Sequence, residues 1–394
     1  MTIPVQLLLF CLAVPALLSS LYLLGATLLS RRLPAPVPTS KTLCFDLIVP
    51  AHNESANIRR TIQSLRNVAW PADRFRVIVV ADNCSDDTAA VARAAGAQVL
   101  VRDEPDKRGK GYALRHAFTA SGTAKFADAV VVVDADAEVS GNLLEAFAAR
   151  LEAGNQAVQA HYGVRNPMAS WRTRLITIAK GAFHIVRSRA RERLGLSCGL
   201  RGNGWCVTHK LLAAVPYQAF SLTEDIEYGI AIGLAGYRVA YTDEAHADAD
   251  MVSDGEIARK QRQRWEHGRL NLIRSKCVLL LAAAVKRRSA LCLDLALDLM
   301  VLPLSYVALN VIALAAAAAI ASWLQLAPSI FLWCAAACSL SLMCYVLRGW
   351  QLSGVGLQGA WDLARVPWFL VWKVLVALRR HDSKEWVRTG REGQ

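Results

Sequence analysis

The segment Ala129–Asp136 constrains the fold of this chain more than any other. Its four consecutive valines predict a strand buried on both faces, as in a parallel sheet covered by helices. Asp134 and Asp136 follow at i and i+2, so an extended backbone places both carboxylates on one side. Open α/β sheets bind ligands at the carboxyl ends of their strands, and carboxylates there suit Mg²⁺ or Mn²⁺. The alternative is that both residues simply end the strand in solvent.

Strands and helices alternate along the first half of the chain. Strands are predicted at Phe45–Val49, Phe75–Ala81 and Gln98–Val101, ahead of the valine strand. Ser55 is a candidate helix cap and Gly96 a candidate helix stop. This alternation predicts an α/β fold with a right-handed, mostly parallel sheet and flanking helices.

Three segments are apolar enough to cross a membrane. Ile3–Ser30 carries no charged residue and exceeds the roughly 20 residues that a span requires. It is too long for a cleaved signal peptide, and no Lys or Arg precedes it. Val301–Trp323 and Ser329–Leu347 have the same character, whereas Ser289–Met300 and the tail Trp361–Arg391 have the composition of interfacial segments. We expect one anchor, two further spans and interfacial helices.

Basic residues flank these segments and predict their orientation. Arg31-Arg32, Lys286–Arg288 and Arg348 place the amino terminus outside and the catalytic region inside an inner (plasma) membrane. The net charge of +13 comes with no nucleic-acid motif, so it fits a membrane surface better than nucleic acid. Ten cysteines without a Cys-x-x-Cys pair argue against zinc and a disulfide framework, and suit a reducing cytoplasm.

Three further segments have more than one interpretation. Ala169–Leu194 is a predicted basic helix, either with an ordinary solvated face or lying on the membrane surface. The glycines of Gly199–Gly204 permit tight turns and a close approach to a ligand. His246–Asp250 alternates polar residues, which we interpret as a loop more readily than as a metal site.

Two later motifs combine residues that suit group transfer. Glu224 and Asp225 follow a predicted loop, so a carboxylate there is either a general base or a first-turn helix acid. Gln261, Arg264 and Trp265 share one face of a helix at i, i+3 and i+4. Arg offers a planar fork to phosphate and Trp a flat surface to a sugar ring. The alternative is an amphipathic basic helix with a buried Trp.

Taken in order, these motifs resemble the membrane-bound family 2 glycosyltransferases, whose catalytic domain has a GT-A fold, a Rossmann-like mixed sheet. This family includes chitin oligosaccharide, hyaluronan and cellulose synthases and ceramide glucosyltransferases. The resemblance runs from about Leu47 to Trp265. Its motifs are Val49-Pro-Ala-His-Asn-Glu54, Asp82, Lys110-Gly111, Asp134-x-Asp136, Thr223-Glu224-Asp225 and Gln261-x-x-Arg264-Trp265. Asn83-Cys84 departs from the Asp-Gly-like turn of many relatives.

The resemblance implies a role for each matching residue. Asp225 would be the catalytic base, and Asp134 with Asp136 would bind a divalent cation, Mg²⁺ or Mn²⁺. The acceptor would contact Glu224, Trp265 and Gly202. The nucleotide-sugar would contact Pro50, Asn53, Glu54, Asp82, Lys110, Asp134, Gln261 and Arg264.

The expected organisation is a transmembrane anchor (1–32), a cytoplasmic GT-A domain (42–275) and a carboxyl-terminal membrane region (276–394). The resemblance implies inverting transfer from a nucleotide-sugar, usually a UDP-sugar, to a lipid-linked or saccharide acceptor at the cytoplasmic membrane face. Such an enzyme would serve surface polysaccharide or glycolipid biosynthesis. The alternatives are a processive polysaccharide synthase and a non-catalytic membrane protein that binds a nucleotide-sugar.

Overall fold

A mixed sheet of eight strands organises the part of the chain that the structure describes. The computed structural model describes residues 2–37, 40–251 and 255–366, excluding the side chains of residues 2 and 255–265. Across the sheet the strand order is β3-β2-β1-β4-β7-β6-β8-β5. The strands are β1 (Phe45–Ala51), β2 (Phe75–Asp82), β3 (Gln98–Arg102), β4 (Ala129–Val132), β5 (Ala137–Val139), β6 (Ala157–Val164), β7 (Trp205–Thr208) and β8 (Val239–Ala249).

The first four strands form a parallel half of the sheet. In β1, Phe45 is level with Phe75 of β2 and with Ala129 of β4. The loops that follow these three strands therefore leave the same edge, which is where open α/β sheets bind ligands. The other half is mixed, because β7 is antiparallel to β4 and β6 while β8 is parallel to β6. The predicted α/β fold with a mixed, GT-A-like sheet is confirmed.

Helices cover both faces of the sheet. Val131 and Val133 pack with α2 and α5, whereas Val130 and Val132 pack with α4, α8 and α9. All four valines are fully buried, which confirms the prediction of a strand covered on both faces. The helices are α1 (Thr2–Leu28), α2 (Ile58–Arg66), α3 (Thr88–Ala94), α4 (Lys110–Ala124), α5 (Leu143–Glu152), α6 (Trp171–Lys180), α7 (Arg187–Arg193), α8 (His209–Ala214), α9 (Glu224–Leu234), α10 (Gly255–Arg287), α11 (Ala290–Met300), α12 (Leu304–Trp323), α13 (Ile330–Ser353) and α14 (Gly356–Leu363).

The helix boundaries confirm one local prediction and correct another. Gly96 lies just beyond α3 with φ of +87°, a left-handed conformation that suits glycine after a helix. Ser55, in contrast, does not cap α2, which begins at Ile58 after Asn57. Its backbone N–H instead donates to Asp86, 3.2 Å away, and so joins the loops that follow β1 and β2.

Within the described residues, three helices are long and apolar enough to cross a membrane: α1, α12 and α13. They correspond to the three predicted spans and pack together through Leu9, Leu314 and Cys338, all buried. The side chain of Arg348 in α13 donates to the Ser30 hydroxyl, 2.8 Å away, and so ties α13 to the end of α1. Most of the predicted interfacial tail, from residue 367 onward, lies outside the described residues.

The predicted basic helix is present, and several of its cations are buried inside the protein, which neither interpretation anticipated. It forms α6, a π-helical turn (Gly181–Val186) and α7. Its arginines bind carboxylates within the protein: Arg174 lies 2.5 Å from Asp362, and Arg187 lies 3.1 Å from Asp298. Arg187 is only 3% exposed. Several of these cations therefore join elements of the fold instead of facing solvent or lipid.

Candidate active site

Lys110, the first residue of α4, lies at the centre of the predicted site. Its ammonium group donates to Asp134 Oδ1 and to the Gly202 carbonyl, each 2.6 Å away, and lies 3.5 Å from Glu224 Oε1. Burial alone would lower the pKa of Lys110, but the adjacent carboxylates raise it above its ordinary value. The lysine is therefore charged, and it joins the end of β4 to the Gly199–Gly204 loop and to α9.

The turn after β4 is fixed from both sides. The backbone N–H of Asp134 donates to the Asn203 side-chain oxygen, 3.0 Å away. The Thr61 hydroxyl donates to the Ala135 carbonyl, 2.8 Å away, and Arg60 donates to the Asp136 carbonyl at 3.4 Å. Asp136 is 8% exposed, whereas the side chain of Asp134 is 25% exposed. Both predicted metal ligands thus lie at the ligand-binding edge of the sheet.

Glu224 and Asp225 form the first turn of α9, so the second acidic motif does begin a helix. Burial raises the pKa of Glu224 to about 7, although Lys110 acts to lower it. Burial also raises the pKa of Asp225, again against the effect of Lys110. Gly202, at φ of +88°, lies beside Asp225, and a Cβ there would be 3.5 Å from Asp225 Oδ2. Glycine therefore leaves the space in front of this carboxylate open.

Four of the residues expected to contact the nucleotide-sugar, namely Pro50, Asn53, Glu54 and Asp82, lie along β1, β2 and the loop after β1. Pro50 is in β1, and Asn53 adopts a left-handed conformation in which its side chain accepts from the Ser85 N–H at 2.7 Å. The Glu54 N–H donates to the Thr88 hydroxyl, 2.8 Å away. These bonds hold the loop after β1 against the loop after β2.

Asp82, at the end of β2, forms a buried ion pair with Arg102 of β3 at 2.5 Å. Asn83 follows it at φ of +50°, a left-handed conformation that asparagine tolerates better than most residues. The Asn83 side chain accepts from the Glu104 N–H, 2.9 Å away. The sequence therefore forms a turn here without the glycine that many relatives have.

Gln261, Arg264 and Trp265 lie within the long helix α10, as the i, i+3, i+4 spacing predicts. Their side chains are outside the described part of the structure. Their predicted roles at the diphosphate and the acceptor therefore stay predictions.

Sequence reasoning missed Lys180, which lies at the end of α6. Its ammonium group is 3.2 Å from the centre of the Tyr162 ring and 3.3 Å from the Gly163 carbonyl. Burial lowers the pKa of Lys180 to about 7, although Asp248, Asp134 and Asp136 act to raise it. In the sequence Lys180 is one cation of a basic helix, and no local signal distinguishes it from its neighbours.

The His246–Asp250 segment is not the loop that its alternating pattern suggested. His246–Ala249 complete strand β8, in which Ala247 and Ala249 are buried while His246 and Asp248 face the other side. His246 pairs with Asp248 at 2.8 Å, and Asp250 lies 3.2 Å from Arg60. Within the described residues, no group of three or more His, Cys, Asp or Glu side chains converges as a metal site.

The charge of the site fits a divalent cation that a bound ligand helps to hold. Asp134, Glu224 and Asp225 surround the Lys110 ammonium group, so three carboxyl groups face one cation. Asp136 follows Asp134 in the same turn after β4. Mg²⁺ in such sites is commonly bound by one or two carboxylates plus substrate phosphates, which agrees with a pair of protein ligands.

Comparison with known proteins identifies the family. Residues 44–268, more than half of the chain, match the family described as "Glycosyltransferase like family 2". A probable glycosyltransferase of Bacillus subtilis is 26% identical over 231 residues, covering 56% of this chain and 54% of that protein. A beta-monoglucosyldiacylglycerol synthase of Synechocystis is 28% identical over 232 residues, covering 56% of this chain and 47% of that protein. The chain thus spans about half the length of these relatives.

A solved structure shows the same fold. It is a mannosyltransferase from Pyrobaculum calidifontis in complex with GDP-Man and Mn²⁺, with a TM-score of 0.52 and 20% identity. The likeness covers 89% of this chain and 99% of the other. With the ordered motifs at one edge of the sheet, these comparisons show that the chain belongs to glycosyltransferase family 2 and has its GT-A fold.

Proposed function

We propose that this protein transfers a hexose from a UDP-sugar to a lipid-linked acceptor at the cytoplasmic face of the inner membrane. The three helices long enough to cross a membrane support a membrane location. The relative in Synechocystis, named as a glucosyl-diacylglycerol synthase, supports a lipid acceptor. The product would contribute to glycolipid or surface-polysaccharide assembly.

One observation carries this proposal. Lys110 contacts Asp134, on the side expected for the donor, and both Gly202 and Glu224, on the side expected for the acceptor. Asp225 lies beside Gly202, one residue from Glu224. The residues proposed for donor binding, acceptor binding and catalysis therefore meet at one place.

The proposed chemistry is a single displacement with inversion. Asp225 accepts the proton of the acceptor hydroxyl. The hydroxyl oxygen forms the new bond to the sugar carbon as the bond between that carbon and UDP breaks. Glu224, more deeply buried and 3.5 Å from Lys110, is better placed to position the acceptor than to take the proton. Asp134 and Asp136 would hold Mg²⁺ or Mn²⁺, which, when bound, stabilises negative charge on the leaving diphosphate.

A product analysis tests the proposal. Membranes containing the protein are incubated with a panel of labelled UDP-sugars, and the product is separated into lipid and polymer fractions. We expect label from one UDP-sugar in the lipid fraction, reduced about 100-fold or more with the Asp225→Asn variant. Label in long polymer would favour the processive synthase, whereas binding without UDP release would favour the non-catalytic alternative.

A further inference from the structure

Helix α10 passes close to the start of α9 at Gly268. A Cβ atom added at Gly268 would lie 2.7 Å from Thr223 Cγ2 and 3.1 Å from Thr223 Oγ1. Carbon atoms in good contact are about 3.5–4.0 Å apart. Thr223 is 5% exposed and immediately precedes Glu224 and Asp225, the first residues of α9. The two helices therefore pack at a distance that only glycine permits at position 268.

The Thr223 side chain has little freedom to move away from α10. It is β-branched, so its χ1 angle is restricted. Both of its branches face Gly268, and a rotation that exchanges the methyl group and the hydroxyl would leave an atom in the same place. A methyl group added at Gly268 would therefore require a backbone shift of about 1 Å.

Helix α10 is held from its other side at this level. Arg269, the next residue, donates to the Val301 carbonyl at 2.9 Å. The Tyr306 hydroxyl of α12 donates to Glu266 Oε2, also at 2.9 Å. Because these bonds tie α10 to the segment that leads into α12, α10 resists the shift.

The body of α9 is also closely packed. A Cβ at Gly229 would lie 3.0 Å from the Leu200 backbone nitrogen, and one at Gly233 would lie 2.2 Å from Leu295 Cδ1 of α11. These contacts fix α9 beyond its first turn. A shift caused at Thr223 would therefore fall on the first turn, which carries Asp225.

We propose that Gly268 is a positioning residue for the transfer reaction. Its contact with Thr223 sets the distance between the proposed base, Asp225, and α10, which carries Gln261 and Arg264. A misplacement of about 1 Å in an active site can lower the rate roughly 100-fold. This inference rests on the proposed glycosyl transfer, and it adds a residue that contacts neither substrate.

The test uses a contact that can be both blocked and reopened in the purified full-length protein. Gly268→Ala adds the methyl group, and Thr223→Ser removes the Cγ2 atom that it would meet while keeping Oγ1. The two changes are made singly and together. Gly122→Ala in α4 is the matched control, because the same substitution there would meet only the His209 ring, 3.8 Å away. For each variant we would measure kcat and KM for the UDP-sugar, the affinity for UDP, and the melting temperature.

We expect Gly268→Ala to lower kcat about tenfold or more and to change the affinity for UDP by less than about threefold, because α10 and the donor-binding loops stay in place. In the Thr223→Ser background the same change should cost much less kcat, since the closest contact has been removed. Gly122→Ala should match the wild type. This rescue separates positioning from a general loss of stability.

Equal kcat in Gly268→Ala and Gly122→Ala would overturn the proposal, and so would an equal loss in both Thr223 backgrounds. A loss of kcat that only follows the loss of folded protein would also overturn it. A wild type that transfers no sugar would instead refute the proposed function. The melting temperatures would then still test the contact, because Gly268→Ala should lower the melting temperature less when Thr223→Ser is present.

Discussion

Replacing Lys110 by methionine removes the cation that joins the acidic residues of the site. Its ammonium group makes two short hydrogen bonds, to Asp134 and to the Gly202 carbonyl, at 2.6 Å each. A hydrogen bond to a charged group contributes roughly 1.5–3 kcal/mol. Because Asp134 is partly exposed and water replaces some of what is lost, we take the lower end for each. Lys110→Met should lower the free energy of unfolding by about 3 kcal/mol, or the melting temperature of the full chain by about 4 °C.

The same variant should also change how stability depends on pH. Burial raises the pKa of Glu224 to about 7 even with Lys110 present, so the wild-type residue is about half protonated at neutral pH. Without the cation its pKa rises further, and Glu224 stays protonated in the folded variant while it ionises in the unfolded chain. The folded state then binds more protons than the unfolded state, so stability falls as pH rises. Near pH 7 the slope is about 1.4 kcal/mol per pH unit in the variant and about 0.7 in the wild type.

Thermal denaturation of the purified full chain in detergent, between about pH 6 and pH 8, measures both effects. Lys107→Met is the matched control, because Lys107 lies in the loop just before α4, its side chain is 56% exposed, and it pairs only loosely with Glu104 at 3.7 Å. An exposed pair of this kind contributes about 0–1 kcal/mol. The proposed charge balance is wrong if Lys110→Met has the same melting temperature as the control at every pH. It is also wrong if the difference in melting temperature between Lys110→Met and the wild type becomes smaller as pH rises.

Three further predictions concern chemistry and orientation. Asp225→Asn should reduce transfer about 100-fold or more, while UDP binding persists. Burial raises the pKa of Asp225, so the rate of wild-type transfer should decline on the acid side at a higher pH than with an ordinary aspartate. Near-normal turnover of the variant would exclude Asp225 as the base. Chelation should abolish transfer and added Mg²⁺ or Mn²⁺ restore it, so full activity in excess chelator would rule out a required metal. An impermeant thiol reagent should label Gln325→Cys but not Gln394→Cys in intact cells, above the signal of the native chain; the reverse pattern would invert the topology.

The parallel half of the sheet could be predicted because its signals are local. The run Val130–Val133 predicted burial on both faces, and the structure assigns alternate valines to the two sides of the sheet. Gly96 follows the end of α3 because its left-handed backbone conformation, which glycine adopts easily, stops the helix. The acids that follow β4 and begin α9 were identified from their position in the motif order. Their meeting through Lys110 depends on three segments far apart in the chain.

The structure differs from prediction where a distant partner determines the outcome. Ser55 has the residue type of a helix cap, but its N–H bonds to Asp86 in the neighbouring loop. The alternation at His246–Asp250 is typical of a strand, but we interpreted it as a loop. The sequence does not show which strand would pair with it. Pairing with β5 and β6 supplies that partner. Lys180 is near the site because α6 packs against β6, and helical periodicity alone does not show that contact.

Two unusual features of the sequence explain each other once the chain is folded. Arg187 and Arg191 belong to a basic run at the end of a predicted helix, and Asp294 and Asp298 interrupt an apolar segment about 100 residues later. The acidic segment was assigned to the membrane interface, and the basic helix was interpreted either as a solvated face or as a membrane-surface helix. In the structure they form one buried network, which offsets charges that neither segment would tolerate alone. Helix α10 also runs unbroken through the predicted domain boundary at residue 275. Helix α11 therefore helps to hold the Gly199–Gly204 loop, which we propose contacts the acceptor, because Arg201 of this loop lies against the same network.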